Sequence, residues 1–224
     1  MHQTSPADPA SPDPDSSRRH SPHAAGRWPR ALRWLRVEAT PLLVMLALLF
    51  VARSSFANHY QVPSGSMQPT LEPGDRVVVD MRAYGLRIPF TGIALTGHTE
   101  PAPGDVVVFK SPDDGTRLIK RVVAVAGQTV ALVDGRLWID GRALEAGQDL
   151  ERFGGKQIQL DLRDGGGPDI APLVIPDGMA LVPGDHRGRS ADGRYFGLVR
   201  SHDLYARALG VYWRSGQGPV WKPL

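Results

Sequence analysis

The stretch Pro63-Ser64-Gly65-Ser66-Met67, followed by Pro69, sets a serine between a glycine and a large apolar residue. Prolines on both sides stiffen the turn and leave the hydroxyl free to react, so Ser66 is the candidate nucleophile. The same residues are also ordinary turn chemistry. A serine at neutral pH is a poor nucleophile and needs a neighbouring base.

Histidine is the first place to look for that base. Of the seven histidines, His2, His20 and His23 lie in a polar N-terminal arm, and His59, His98, His186 and His202 sit in turn-like polar contexts that read as solvated. There is no Gly-x-Ser-x-Gly elbow for a Ser/His/Asp triad. No His-Glu-x-x-His or comparable ligand spacing points to a catalytic metal, and no cofactor motif is present.

Lysine is more informative. Lys120 stands inside Arg117-Leu118-Ile119-Lys120-Arg121-Val122-Val123-Ala124-Val125, where period-2 alternation puts Leu118, Lys120, Val122 and Ala124 on one face and Ile119, Arg121, Val123 and Val125 on the other. A lysine on a covered apolar face loses solvation of its charged form, and its pKa falls from ~10.4 toward neutrality. It can then take a proton from a serine. A lysine at a strand edge can equally snorkel to water.

The glycine-punctuated run Gly184-Asp185-His186-Arg187-Gly188-Arg189-Ser190-Ala191-Asp192-Gly193-Arg194-Tyr195-Phe196-Gly197 reads two ways. It is a polar surface loop, or its alternating acids, arginines and hydroxyls pair one another in a buried layer that holds a lysine in place.

The elements available to hold these residues are β in character. Short Val-, Ile- and Leu-rich runs at 76–80, 105–110, 118–125, 129–133, 136–139 and 179–182 are bounded by Gly, Pro and Asp and predict strands. Pro73-Gly74-Asp75, Pro103-Gly104-Asp105 and Pro183-Gly184-Asp185 repeat one turn signal at irregular spacing, which makes it turn chemistry and not an internal repeat. Asp134-Gly135 and Asp140-Gly141 predict hairpins. Residues 128–175, including the Gly165-Gly166-Gly167 run, read as a smaller β excursion from the main sheet. The 25 glycines and 20 prolines among 224 residues likewise favour short strands over long helices.

Ahead of this domain, residues 1–36 are rich in Pro, Ser, Asp and His and read as a disordered basic arm. The eleven apolar residues 42–52 are too few to cross a bilayer core, which needs roughly 17–25 in a helix. Extended to 37–57, with Glu38 and Arg53 at the interfaces, they suffice as a single transmembrane anchor. Six arginines before the run against Arg53 just after it put the N-terminus in the cytoplasm and 58–224 outside. A cleaved signal peptide, cut after Ser55-Phe56-Ala57, and a core helix are the competing readings. The apolar segment 84–95, with Phe90 and Ile93, reads either as a second membrane contact or as a flap over the sheet.

With no cysteine, disulfides, thiolate metal sites and cysteine nucleophiles are excluded. The net charge of +3 is mild and its local excess lies in the arm, which favours a membrane over nucleic acid as partner.

Taken in order, Pro63-Ser64-Gly65-Ser66-Met67-x-Pro69-Thr70-Leu71, Gly104-Asp105-Val106-Val107-Val108-Phe109, Lys120-Arg121-Val122-Val123 and the loop 184–197 resemble the bacterial type I signal peptidases over about residues 60–211. Each box alone is weakly specific; the ordered set is highly specific. The resemblance implies a mainly β, antiparallel signal-peptidase-like fold and a Ser/Lys dyad of Ser66 and Lys120. It implies that the Ser64 hydroxyl joins the Ser66 backbone N–H in the oxyanion hole, and that Asp185, Ser190, Asp192 and Arg194 orient the lysine and brace the site. Gln61, Val62, Pro63, Met67 and Ile119 fall where the family builds its substrate groove.

The implied activity is endoproteolytic removal of signal peptides from exported pre-proteins after Ala-x-Ala. It needs no cofactor, and it places the chain in the bacterial cytoplasmic membrane near the translocon. Two departures bear on local bracing: His186 stands where the family usually has Asn, and Gly193 where it usually has Ser. A specialised Ser/Lys processing peptidase, a self-cleaving repressor and a silent membrane-tethered binding module are the alternatives. A repressor should carry a helix-turn-helix, and none is evident.

Overall fold

The computed structural model describes residues 37, 39–85 and 96–224. The expected arm at 1–36 and nearly all of the apolar segment 84–95, Phe90 and Ile93 included, lie outside the described residues. A helix α1, Thr40–Phe56, covers 17 residues, and Leu42, Leu43, Leu48 and Leu49 on it are each more than half exposed. Among the described residues no helix is long and apolar enough to cross a membrane.

The chain then enters β1 (Ala57–Gln61), β2 (Arg76–Asp80), β3 (Val106–Lys110), β4 (Arg117–Arg121) and β5 (Ala124–Val125). It continues through β6 (Thr129–Val133), β7 (Arg136–Ile139), β8 (Arg142–Ala143), β9 (Glu145–Gly147), β10 (Leu150–Phe153), β11 (Lys156–Gln159) and β12 (Ile170–Val174). It returns in β13 (Met179–Leu181), a short helix α2 (Gly193–Phe196), β14 (Val199–Arg200), β15 (Ala206–Arg214) and β16 (Gly218–Pro223).

The main sheet runs β1-β2-β15-β3-β4, with β16 added to β15. Neighbouring strands in it are antiparallel, as is usual where short Gly/Pro turns join strands. The valine runs of β2 and β3 are buried because β15 lies between them, with Val77, Val79, Val106, Val108, Ala206, Ala208 and Val211 forming one core. Between β5 and β13 the chain builds two smaller antiparallel sheets, β11-β10-β9 and β12-β6-β7-β8, around Val130, Leu132, Leu137, Phe153 and Ile158.

One predicted strand divides. The run 118–125 leaves the main sheet after Arg121 and resumes as β5, which pairs with β13 in a fourth sheet, β14-β13-β5. Val122 N donates to Asp105 O and Val123 N to Leu181 O, so the backbone changes partner between these two residues. Period-2 alternation therefore holds for Lys120 and Arg121 but not across Val122 and Val123. Strand β15, bonded to β2 on one side and β3 on the other, was not among the predicted strands.

Candidate active site

Ser66 occupies the middle of a one-turn 3₁₀ helix, Gly65–Met67, entered through extended Ser64 and left through extended Gln68. Gln68 N donates to Gly65 O at 3.0 Å and Leu71 N to Met67 O at 2.9 Å, closing the turn. Met67 and Leu71 are fully buried and root it in the main core. Ser66 thus stands on a rigid knuckle with its hydroxyl turned away from the core. N–H groups in the first turn of a helix have no intrahelical partner and point toward its entry.

Lys120 arrives from β4. Its side chain is buried, and Nζ donates to Ser66 Oγ at 2.6 Å. Burial is the main cause that lowers its amine to about 8; the Asp192 and Asp185 carboxylates act in the opposite direction, and Arg194 reinforces the fall. An amine poised there is neutral in a useful fraction of molecules near neutral pH. Ser64 Oγ donates to Ser66 Oγ at 3.3 Å from an exposed position beside it.

The loop 184–197 carries a buried polar layer, with Arg189, Ala191, Tyr195 and Gly197 left at the surface. Asp185, His186, Arg187, Ser190 and Asp192 are all buried. Asp192 accepts from Gly184 N at 2.8 Å and from Arg194 Nε at 2.9 Å, and Arg194 goes on to donate to the carbonyls of Gly166 and Arg187. Burial pushes the Asp192 carboxyl upward, but these contacts outweigh it and hold the group below its ordinary value. Asp185 takes two bonds from Arg121, at 2.8 and 2.6 Å. Arg121 also donates to Gly104 O at 2.8 Å and to Thr70 Oγ1 at 3.3 Å, tying the serine loop, the turn before β3 and the loop 184–197 together.

Close approach explains a glycine here. A Cβ on Gly184 would lie 2.3 Å from Ser66 O and 2.3 Å from Ser190 Oγ. The adjacent His186 N donates to Ser66 O at 3.2 Å. The loop therefore holds the nucleophile's own backbone, which a side chain at position 184 would displace.

Ser190 is buried as part of this layer, but its hydroxyl approaches the Asp192 carboxylate without reaching a partner in hydrogen-bond geometry. His186, read as solvated, is 3% exposed; its Nε2 lies 3.0 Å from Asp164 Oδ2 and its Nδ1 3.8 Å from Asp161 Oδ2. Asp164 in the segment before β12 supplies the partner that made burial of a polar ring affordable.

A cavity of about 290 Å³ opens beside Ser66 and Lys120, lined by Gln61, Val62, Pro63 and Ser64 on one side and by residues 117–120, Ile119 included, on the other. Met67 lines none of it and belongs to the core below. A larger cavity of about 600 Å³, bounded by Thr70, Arg121, Lys156 and Lys222, contains neither Ser66 nor Lys120. The smaller one is where a reacting group could meet nucleophile and base together.

Two residues of the bracing were missed in the sequence. Arg187, buried, donates to Glu151 Oε2 at 2.7 Å and to Gly135 O at 2.7 Å, joining the loop to β10 and to the β6–β7 turn. Burial raises the Glu151 carboxyl despite the opposing Arg187 charge. The available signal was alternation: Glu151 shares a strand face with Phe153, so a core-facing phenylalanine implies a core-facing acid that needs a cation.

Residues 33–213 match a family model described as signal peptidase, peptidase S26. Signal peptidase I of Pseudomonas aeruginosa is 31% identical over 219 residues, covering 82% of this chain and 77% of that one. A probable signal peptidase I-1 of Synechocystis is 32% identical, covering 81% and 84%. Signal peptidase I of Leptolyngbya laminosa is 31% identical, covering 94% and 88%. The crystal structure of a signal peptidase I from Enterococcus faecalis covers 55% of this chain and 97% of its own at 26% identity, with a TM-score of 0.34.

Proposed function

The chain belongs to the signal peptidase family, peptidase S26, as a serine peptidase that removes signal peptides, and we propose that it does so with a Ser66/Lys120 dyad while anchored in the bacterial cytoplasmic membrane. The observation that carries this reading is the 2.6 Å contact between Ser66 Oγ and a buried amine lowered to about 8.

Neutral Lys120 takes the proton of Ser66 as Oγ attacks the carbonyl carbon of the scissile bond. The Ser66 N–H and the Ser64 hydroxyl stabilise the oxyanion. Lys120 returns the proton to the leaving amine, and water, deprotonated by the same lysine, clears the acyl-enzyme. Asp185, Ser190, Asp192 and Arg194 brace the lysine and the serine loop without touching substrate.

The segment before the cut lies extended between Gln61–Ser64 and β4, an edge-addition mode that gives alternate side chains their pockets. The walls contributed by Val62, Pro63 and Ile119 leave room for small side chains one and three residues before the cut, which is an Ala-x-Ala preference. Met67 supports this surface from beneath.

Residues 37–57 serve as the anchor, residues 1–36 as the cytoplasmic arm and 58–224 as the catalytic domain on the outer face, with 128–175 as its excursion. The exposed leucines of α1 are the apolar surface that lipid would cover. Anchoring places the site beside signal peptides leaving the translocon with their apolar segments still in the bilayer and raises effective concentration.

The test compares the wild type, Ser66→Ala and Lys120→Ala on a fluorogenic Ala-x-Ala signal-sequence peptide in lipid, with flotation of each on liposomes. Cleavage after the second Ala by the wild type alone, roughly 10³-fold or more above either variant, with all three floating, is the expected result. A Lys120→Ala variant that cuts at the wild-type rate removes the base assignment, and a wild type that stays with the soluble fraction removes the anchor.

A further inference from the structure

At the end of the groove away from Ser66, the guanidinium of Arg117 is held from two sides. Its Cζ stands 4.5 Å from the centroid of the Tyr60 ring, and its Nε donates to Tyr205 Oη at 2.9 Å. The stack fixes the plane and the hydrogen bond fixes its rotation. Nη1 and Nη2 are left without a partner among the described residues and belong to an exposed side chain lining the cavity. Of the two acids in the preceding turn, Asp113 and Asp114, the second is engaged by Thr116 N at 2.9 Å and Thr116 Oγ1 at 2.7 Å.

This is a cation with its orientation already set and its bidentate edge free, the arrangement that carboxylate recognition uses. Arg117 is three residues before Lys120 on β4, a distance of about 10 Å along an extended strand. A substrate running beside β4 from the scissile carbonyl covers that distance in three residues, so the fourth residue before the cut lies level with Arg117. Among the described residues that line the cavity there is no carboxylate.

We propose that Arg117 reads the charge of the signal peptide at the fourth residue before the cut, favouring Asp or Glu there and disfavouring Lys or Arg. The inference rests on the proposed seating of the acyl-side segment between Gln61–Ser64 and β4. It adds a selectivity for charge to one for small side chains.

The experiment uses the full-length protein in detergent with Ala-x-Ala peptides that are uncharged but for Glu, Gln or Lys four residues before the cut. At low salt the wild type is expected to prefer Glu over Gln by about three- to fivefold in kcat/KM, and Glu over Lys by about tenfold, the range of a solvent-exposed ion pair. The preference should shrink with added salt. Arg117→Gln is expected to bring the Glu-to-Lys ratio close to one, and Arg117→Glu to invert it. Ratios taken within each variant cancel changes in overall rate or folded fraction. Equal cleavage of all three peptides by the wild type, or a Glu preference that survives in Arg117→Gln, overturns the inference and leaves the dyad standing. A wild type that cuts none of them overturns the dyad reading and this one with it.

Discussion

Lys120 and Arg121 are consecutive residues of β4, 2% and 1% exposed, facing opposite sides of the sheet. One meets a serine hydroxyl and makes no ion pair among the described residues; the other meets a carboxylate, a carbonyl and a hydroxyl. Burial is common to both, so burial alone does not decide what a cation does. Pairing decides it. The unpaired lysine relieves its desolvation by giving up a proton, whereas the arginine cannot and must be compensated in place. Adjacent positions on one strand thus hold an amine without an ion pair on one face and a cross-bracing guanidinium on the other.

The sharpest way to break this comparison is to remove the paired cation. Arg121→Met leaves Asp185 buried without a partner and should cost roughly 3–5 kcal/mol in denaturant unfolding. Replacing Asp185 by Leu in the same chain should recover much of that loss, because the stranded charge is gone. A loss below about 1 kcal/mol in the single variant means that the pair is not what holds this face.

The next effect is on rate. On the dyad reading the reactive form of Lys120 is the neutral amine, so kcat/KM should climb about tenfold per pH unit below the inflection and level off above it. The inflection belongs near the amine's lowered value of about 8. A profile flat from roughly pH 6 to 9 contradicts a lysine base.

The smallest effect has the opposite sign to the first. The amine falls from an ordinary 10.5 to about 8 on folding, so between those values the unfolded chain holds a proton that the folded chain lacks. Stability then rises with pH across that window, and the full cost of the buried lysine is carried below it. Lys120→Met, though inactive, should therefore be more stable than the wild type at pH 7, by about 1–2 kcal/mol, with the advantage gone above pH ~10.5. Equilibrium unfolding at the two pH values measures it; a less stable Lys120→Met at pH 7 would mean that the lysine is structurally favourable after all.

The residues that meet at the candidate site were more legible in the sequence than the frame. Ser66 and Lys120 are marked by local signals, a proline-bounded turn and a charge inside an apolar strand. β2, β6 and β7 coincide with the predicted runs because each is a compact β-branched or aliphatic stretch between turn residues. β15 carries only the short Val211-Tyr212-Trp213 run; its first half, Ala206-Arg207-Ala208-Leu209-Gly210, has weak β propensity and is a strand because it pairs with strands on both sides. The loop 184–197 has the composition of a surface and the burial of a core. Its Asp185 and Arg187 side chains are paired with residues as distant as Arg121, Gly135 and Glu151, information that no local window contains. His186 was misread for the same reason, since its partner Asp164 lies in another segment.

The strand order has a consequence in time. Ser66 follows β1 and precedes β2, Lys120 lies near the end of the β3–β4 hairpin, and among the described strands β15 is the one that pairs with both β2 and β3. Synthesis delivers Ser66 first, Lys120 some fifty residues later, and the strand that docks one against the other only after residue 206 has left the ribosome. A chain still being made owns both reactive groups without the scaffold that sets them 2.6 Å apart. On the dyad reading, a nascent chain that has not yet released β15 holds both groups without the strand that docks them, and passes through that stage of its biogenesis unarmed.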